Sequence, residues 1–308
     1  MSTTAPASTT TPVVPDLPSA SVNDKSMVEP LLPEAAKQGE LMVTALTSAP
    51  YNCSMEMAIE LSILTLYDLV VLIDDSSSMK LQENAKRIAT LERALQQVAD
   101  IYTLANPSGI KSVRFLNHRQ GKANVKKEDV PGVIGRCAWI GLTMMGSELR
   151  RKILLPFVLK DVTAMKKPLL VMIITDGQVE GEKKGLLEKV ILECMQHLKE
   201  KEKPSAVAFH FSRVGNDEGA KTLLTSLDNH PRVGDHVDCL PMDMPLESID
   251  EANEEWCKEE RWEMIPKLLL GAILPSMDEF DEAAFKIDDG VGDGITAAAV
   301  DLDILEDD

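Results

Sequence analysis

Aromatic residues make up only 4% of this 308-residue chain, so its core has to be built from Leu, Ile, Val, Met and Ala. Basic residues are scarce as well: 32 Lys and Arg stand against 50 Asp and Glu, a formal charge of -18. A surface of that sign repels phosphate backbones, and no nucleic-acid partner is expected. There is no stretch of about 18 apolar residues, so no membrane span is expected. The opening MSTTAPASTTTPVVPDLPSASVNDKS has neither the basic start nor the apolar stretch of a secretory signal. Cys53, Cys137, Cys194, Cys239 and Cys257 are odd in number, widely spaced and free of C-x-x-C pairs, against both a disulfide framework and a zinc knuckle. A reduced, cytoplasmic setting is expected, with the nucleus as the alternative.

Residues 1–45 are rich in Ser, Thr, Pro and Ala without strand or helix periodicity, the composition of a disordered arm. Residues 67–73 then form a continuous apolar run ending at Asp74, as expected of a central strand covered on both faces. From Glu83 the apolar residues Ile88, Leu91, Leu95, Val98 and Tyr102 recur at spacings of three and four, which predicts a helix stopped by Asn106-Pro107-Ser108-Gly109. Further strands are predicted at 113–116, 169–175, 206–211 and 237–240. Helices are predicted at 146–155, broken at Pro156, and around Leu187, Ile191, Cys194 and Leu198, then around Ala220, Leu223, Leu224 and Leu227. This alternation predicts an α/β fold with a doubly wound, mostly parallel, Rossmann-like sheet over residues 66–245. An amphipathic helix at 254–275 and an acidic tail at 276–308 follow; within the tail, residues 288–308 hold eight Asp or Glu and no Lys or Arg.

In such sheets ligands bind beyond the carboxyl ends of the strands. Three segments fall there: Asp74-Asp75-Ser76-Ser77-Ser78-Met79, Gly141-Leu142-Thr143-Met144-Met145-Gly146 and Thr175-Asp176-Gly177. Their side chains are carboxylates and hydroxyls without His or Cys, a hard-oxygen set suited to Mg²⁺, Mn²⁺ or Ca²⁺. The D-x-S-x-S, downstream G-x-T and T-D-G together resemble the metal-ion-dependent adhesion site of von Willebrand factor A domains, over roughly residues 66–245. The segments 214–217 (V-G-N-D) and 237–241 (V-D-C-L-P) are similar to the later strands of intracellular fungal members. By that resemblance Ser76 and Ser78 coordinate a divalent cation directly, with Mg²⁺ expected first. Thr143 does so directly or through water, and Asp74 and Asp176 mainly through water. The sixth position is left for a Glu or Asp of a protein partner. One departure is Ser77, where the family commonly has Gly.

Other residues carry blander readings. Asp75 is expected to be a solvated carboxylate pointing away from the cluster, and His210, in an apolar strand, a hydrogen-bonded core histidine. His118, His197, His230 and His236 are scattered, which leaves no general base near the strand tops. Residues 288–294 (DDGVGDG) lack oxygen ligands where a calcium loop needs them and read as a linker. Lys122, Lys126 and Lys127 are followed at once by Glu128 and Asp129 and read as a solvated loop. Residues 302–308 (LDILEDD) alternate apolar and acidic side chains and resemble a SUMO-interaction motif, a short segment that adds a strand to a partner's sheet. The leading expectation is a cation-dependent protein-binding module rather than an enzyme. A metal-dependent hydrolase and a scaffold with a purely structural ion are the alternatives.

Overall fold

The computed structural model describes residues 25–81, 85–177, 179–240 and 259–274. Six strands form one sheet: β1 (Asp68–Ile73), β2 (Ile110–Phe115), β3 (Lys122–Val125), β4 (Leu169–Thr175), β5 (Val207–Arg213) and β6 (Val237–Cys239). Their order is β3-β2-β1-β4-β5-β6, with every pairing parallel except that of β3 with β2. This is the doubly wound, mostly parallel sheet expected of the alternating pattern. Strand order reverses between β1 and β4, and their carboxyl ends lie side by side because Ile73 pairs with Ile174 in register.

Side-chain alternation divides β1 between two cores. Leu69, Val71 and Ile73 pack with the helices Leu32–Leu46, Met55–Leu61, Lys86–Ala105 and Glu259–Leu270. Val70 and Leu72 pack on the other face, with Leu149–Leu159, Leu186–Glu200 and Glu218–Asp228. The Lys86–Ala105 helix buries Leu91, Leu95, Val98 and Tyr102, the predicted stripe, and ends where Asn106 turns extended. At its end the Tyr102 hydroxyl accepts from Leu69 N at 3.0 Å and donates to Tyr67 O at 2.8 Å, so the polar tip of a fully buried ring ties the helix to the start of β1.

Four expectations are corrected. The disordered arm set at 1–45 is helical over Leu32–Leu46, where Met42 and Leu46 are fully buried. The helix hides its stripe by using small residues, Ala35 and Gly39, where it lies close to its neighbour; a Cβ on Gly39 would sit 3.5 Å from Ser62 Cβ. The core therefore does not begin at residue 66, nor end at 245, since Ile265, Leu268 and Leu269 belong to it. The basic segment read as a solvated loop contains β3, a four-residue edge strand in which Lys122 pairs with Val113 and its ammonium meets Asp129. The helix expected to break at Pro156 continues through it as a π-helix, Leu149–Leu159, whose i→i−5 bonding (Lys160 N to Leu155 O, 3.1 Å) opens the turn that a proline ring otherwise crowds. Residues 1–24, the linker at 288–294, the tail at 276–308 and its motif at 302–308 lie outside the described residues, as does Cys257.

Candidate metal centre

All five expected ligands meet beyond the carboxyl edge of β1 and β4. Continuation of the β1–β4 ladder (Asp74 N to Ile174 O, 2.8 Å) sets Asp74 beside Thr175. Asp74 Oδ2 accepts from Thr175 Oγ1 at 2.7 Å and from Thr143 Oγ1 at 3.5 Å, while Oδ1 accepts from Ser76 N at 2.9 Å. Ser76 Oγ lies 2.9 Å from Ser78 Oγ, and Ser78 Oγ donates to Asp176 Oδ1 at 2.9 Å. Asp74, Ser76, Thr143 and Asp176 are each 3% exposed or less. Five side chains from three separated segments thus form one network of oxygens, buried except at the half-buried Ser78.

Two carboxylates in so dry a place oppose each other. Burial, and then the charge of Asp176, push the Asp74 carboxyl up to about 6. Asp176 is also raised by burial, against the pull of Arg87 and Ser78. Arg87 Nη1 donates to Asp176 Oδ2 at 2.8 Å and to its backbone oxygen at 3.4 Å, in a pair closed to solvent. The pattern of its own helix offered no sign of Arg87, which sits on the first turn among buried residues that are mostly apolar. A partial sign was Gly215 in the V-G-N-D segment: its φ is +78°, and a Cβ there would sit 2.3 Å from Arg87 Nε. Thr175 was missed as well, although it stands beside Asp176 in the T-D-G.

The loops around the cluster are held by polar side chains. Asp75, expected to be solvated, is 2% exposed and fixes the loop after β2: Oδ1 accepts from Asn117 N at 2.7 Å and Oδ2 from His118 N at 2.8 Å. The buried Lys152 ammonium donates to Phe115 O, Leu116 O and His118 O from the other side. Ser77, the departure from the family pattern, keeps a negative φ and latches the neighbouring loop, its N–H donating to Gly141 O at 3.4 Å and its Oγ accepting from Gly141 N at 3.3 Å. Gly141 itself, at φ +120°, lies where a Cβ would sit 2.2 Å from Asn117 Oδ1. Glu182 accepts from Gly146 N at 2.7 Å and Ser147 N at 2.8 Å, anchoring the segment that carries Thr143.

The donor set suits a hard divalent ion: neutral hydroxyls, two anionic oxygens and no sulfur or imidazole. Among the described residues there is no group of three or more His, Cys, Asp and Glu placed to hold a metal, so a site here depends on Ser76, Ser78 and Thr143. His210 is the buried core histidine expected: Nε2 lies 2.9 Å from Ser212 Oγ, Nδ1 meets Asp238, and the pair ties edge strand β6 to β5. Burial keeps the thiols of Cys137 and Cys194 protonated, pushed up to about 12. No described helix is long and apolar enough to cross a membrane.

No family model and no curated protein matches the chain. Among solved structures it is similar to a von Willebrand factor type A protein from Catenulispora acidiphila, with 15% identity, a TM-score of 0.39, and 66% of this chain against 42% of that one covered. It is also similar to proximal thread matrix protein 1 from the mussel byssus, described with a zinc-occupied MIDAS motif, at 20% identity, a TM-score of 0.38, and coverage of 63% against 45%. The chain therefore spans less than half the length of each of these two proteins.

Proposed function

We propose that this chain is a von Willebrand factor A-type module that binds a protein partner through a divalent cation held by Asp74, Ser76, Ser78, Thr143 and Asp176. The observation that carries the reading is the meeting of two buried carboxylates, Asp74 and Asp176, with the hydroxyls of Ser76, Ser78, Thr143 and Thr175 at the switch point of the sheet, where burial and the second carboxylate raise Asp74. A cation between such groups removes the like-charge conflict that burial creates. Ser76, Ser78 and Thr143 are neutral donors, and Arg87 already balances one of the two negative charges. The loaded cluster therefore carries one net positive charge, counting two carboxylates, one guanidinium and a divalent ion. It attracts a partner carboxylate although the chain as a whole is strongly acidic. The ion supplies a coordination position and local positive charge; Asp75, Lys152 and Glu182 hold the loops around it.

Binding has more support than hydrolysis. The hydroxyls of Ser76 and Ser78 are engaged with each other and with Asp176, and His210, which meets Ser212, is closed to solvent with it. Calorimetric titration of the protein with Mg²⁺, Mn²⁺ and Ca²⁺ tests the reading. One site is expected, Mg²⁺ or Mn²⁺ binding best, and abolished by Asp74→Ala and by Ser76→Ala. An isotherm unchanged in both variants overturns it.

A further inference from the structure

Among the described residues, six large apolar side chains stand well exposed: Leu41, Met55, Leu81, Ile140, Leu142 and Leu155. Three of them adjoin the oxygen cluster. Leu142 precedes Thr143, Leu81 ends the short helix that carries Ser78, and Ile140 precedes Gly141, which Ser77 holds by hydrogen bonds. Leu81 is 78% and Ile140 64% exposed, values at odds with residues placed only to pack within the domain.

Charge changes sign at the same place. The four loops framing the cluster expose Lys80, Arg119, Arg136, Lys183 and Lys184. Of the described carboxylates there that lie outside the cluster, Asp75 and Glu182 are bound to backbone N–H groups, and Glu180 is exposed. A basic rim with apolar points is the complement of an acidic segment with apolar residues between its carboxylates. The chain contains one: residues 288–308 have eight acidic residues and no basic one, and Leu302, Ile304 and Leu305 are interleaved there with Asp301, Asp303 and Glu306.

We propose that residues 301–308 are an internal ligand of the cation site, one carboxylate taking the ion's open position while Leu302, Ile304 and Leu305 cover Leu81, Ile140 and Leu142. The inference rests on the cation-dependent reading above and adds its regulation: a partner has to displace the chain's own segment. The tether is long enough. Leu302 lies 28 positions beyond Leu274, a reach of up to about 90–100 Å, whereas a domain of this size has a radius of gyration of about 17 Å. Tethering gives the segment an effective concentration on the order of millimolar, so even weak contacts hold it against dilute partners.

The test uses the full chain, ¹⁵N-labelled, with Mn²⁺ as a paramagnetic probe and calorimetry run in parallel. One equivalent of Mn²⁺ should remove most of the amide signal intensity of residues 301–308. The loss should disappear in Asp74→Ala, which binds no ion at the site. It should also shrink in the triple variant Leu81→Ser, Ile140→Ser, Leu142→Ser, which still binds Mn²⁺. Mn²⁺ binding without any loss over 301–308 overturns the internal ligand and leaves the cation site standing; absence of Mn²⁺ binding overturns both. A loss that persists in Asp74→Ala shows the ion sitting on the acidic segment itself, and one that grows with protein concentration shows a second copy as the occupant. Either result overturns the proposal.

Discussion

Asn in place of Asp74 removes one buried charge while keeping the shape of the site. Its Oδ1 still accepts from Ser76 N, and its amide can donate to Thr175 Oγ1, the two close contacts Asp74 makes now. The Asp74 carboxyl is raised from 3.8 to about 6, first by burial and then by Asp176. At about 1.4 kcal/mol per pKa unit, holding Asp74 ionised costs the ion-free fold about 3 kcal/mol. Because the folded value lies above the unfolded one, the cost is absent below about pH 4, grows through the window from about 4 to 6, and is complete above it. In EDTA at about pH 8 the Asn variant should therefore be more stable than the wild type by about 3 kcal/mol, roughly 6–12 °C in Tm, with the difference closing toward about pH 4. Mg²⁺ should reverse the order. Ion at a thousandfold excess over Kd stabilises the wild type by about 4.1 kcal/mol, more than the gap of about 3 kcal/mol, and the variant hardly at all. Urea denaturation across the pH series, with EDTA or Mg²⁺, measures both. A variant less stable than the wild type in EDTA at about pH 8 refutes the argument that Asp74 is held ionised against its surroundings.

Three further outcomes are expected. Leu46→Ala should cost about 2–5 kcal/mol in a single cooperative unfolding transition, because Leu46 is fully buried in the main core; a change near zero in chemical denaturation would return the Leu32–Leu46 helix to the status of an appendage. Gly215→Ala should cost about 1–3 kcal/mol and weaken ion binding, since the added carbon meets Arg87 at a φ of +78°; unaltered stability and ion affinity would show that Arg87 does not depend on that space. Thr143→Ala should weaken the complex with a protein partner as EDTA does, while moderate salt weakens it much less than a surface ion pair, and a partner captured equally well in EDTA would contradict a carboxylate bridge.

The sequence by itself determined the central parallel strands and the place of the site, though not the antiparallel edge strand β3. Residues 67–73 and 169–175 are apolar on both faces and end in Asp74 and Thr175, so parallel central strands with polar carboxyl edges followed from pattern alone, because such runs are stable only when covered on both sides. That Asp74, Ser76, Ser78 and Asp176 lie at one edge followed from the same placement, whereas Thr143, which follows no strand, was joined to them only by the resemblance to von Willebrand factor A domains. Only the tertiary structure decided what surrounds them. Arg87 reaches Asp176 from a helix whose periodicity predicts packing, not a guanidinium at its first turn, and Gly215 matters because a loop from another strand crosses that guanidinium. Asp75, next in sequence to Asp74, turns to the backbone of the loop after β2, a partner that lies 42 residues away and that local alternation cannot reveal. The Leu32–Leu46 helix was hidden for a related reason: half of its buried face is Ala35 and Gly39, which carry almost no hydrophobic signal, and Gly39 gains its meaning only from the closeness of Ser62. Periodicity records which residues must leave water; which groups then meet is fixed by contacts between segments far apart in the chain.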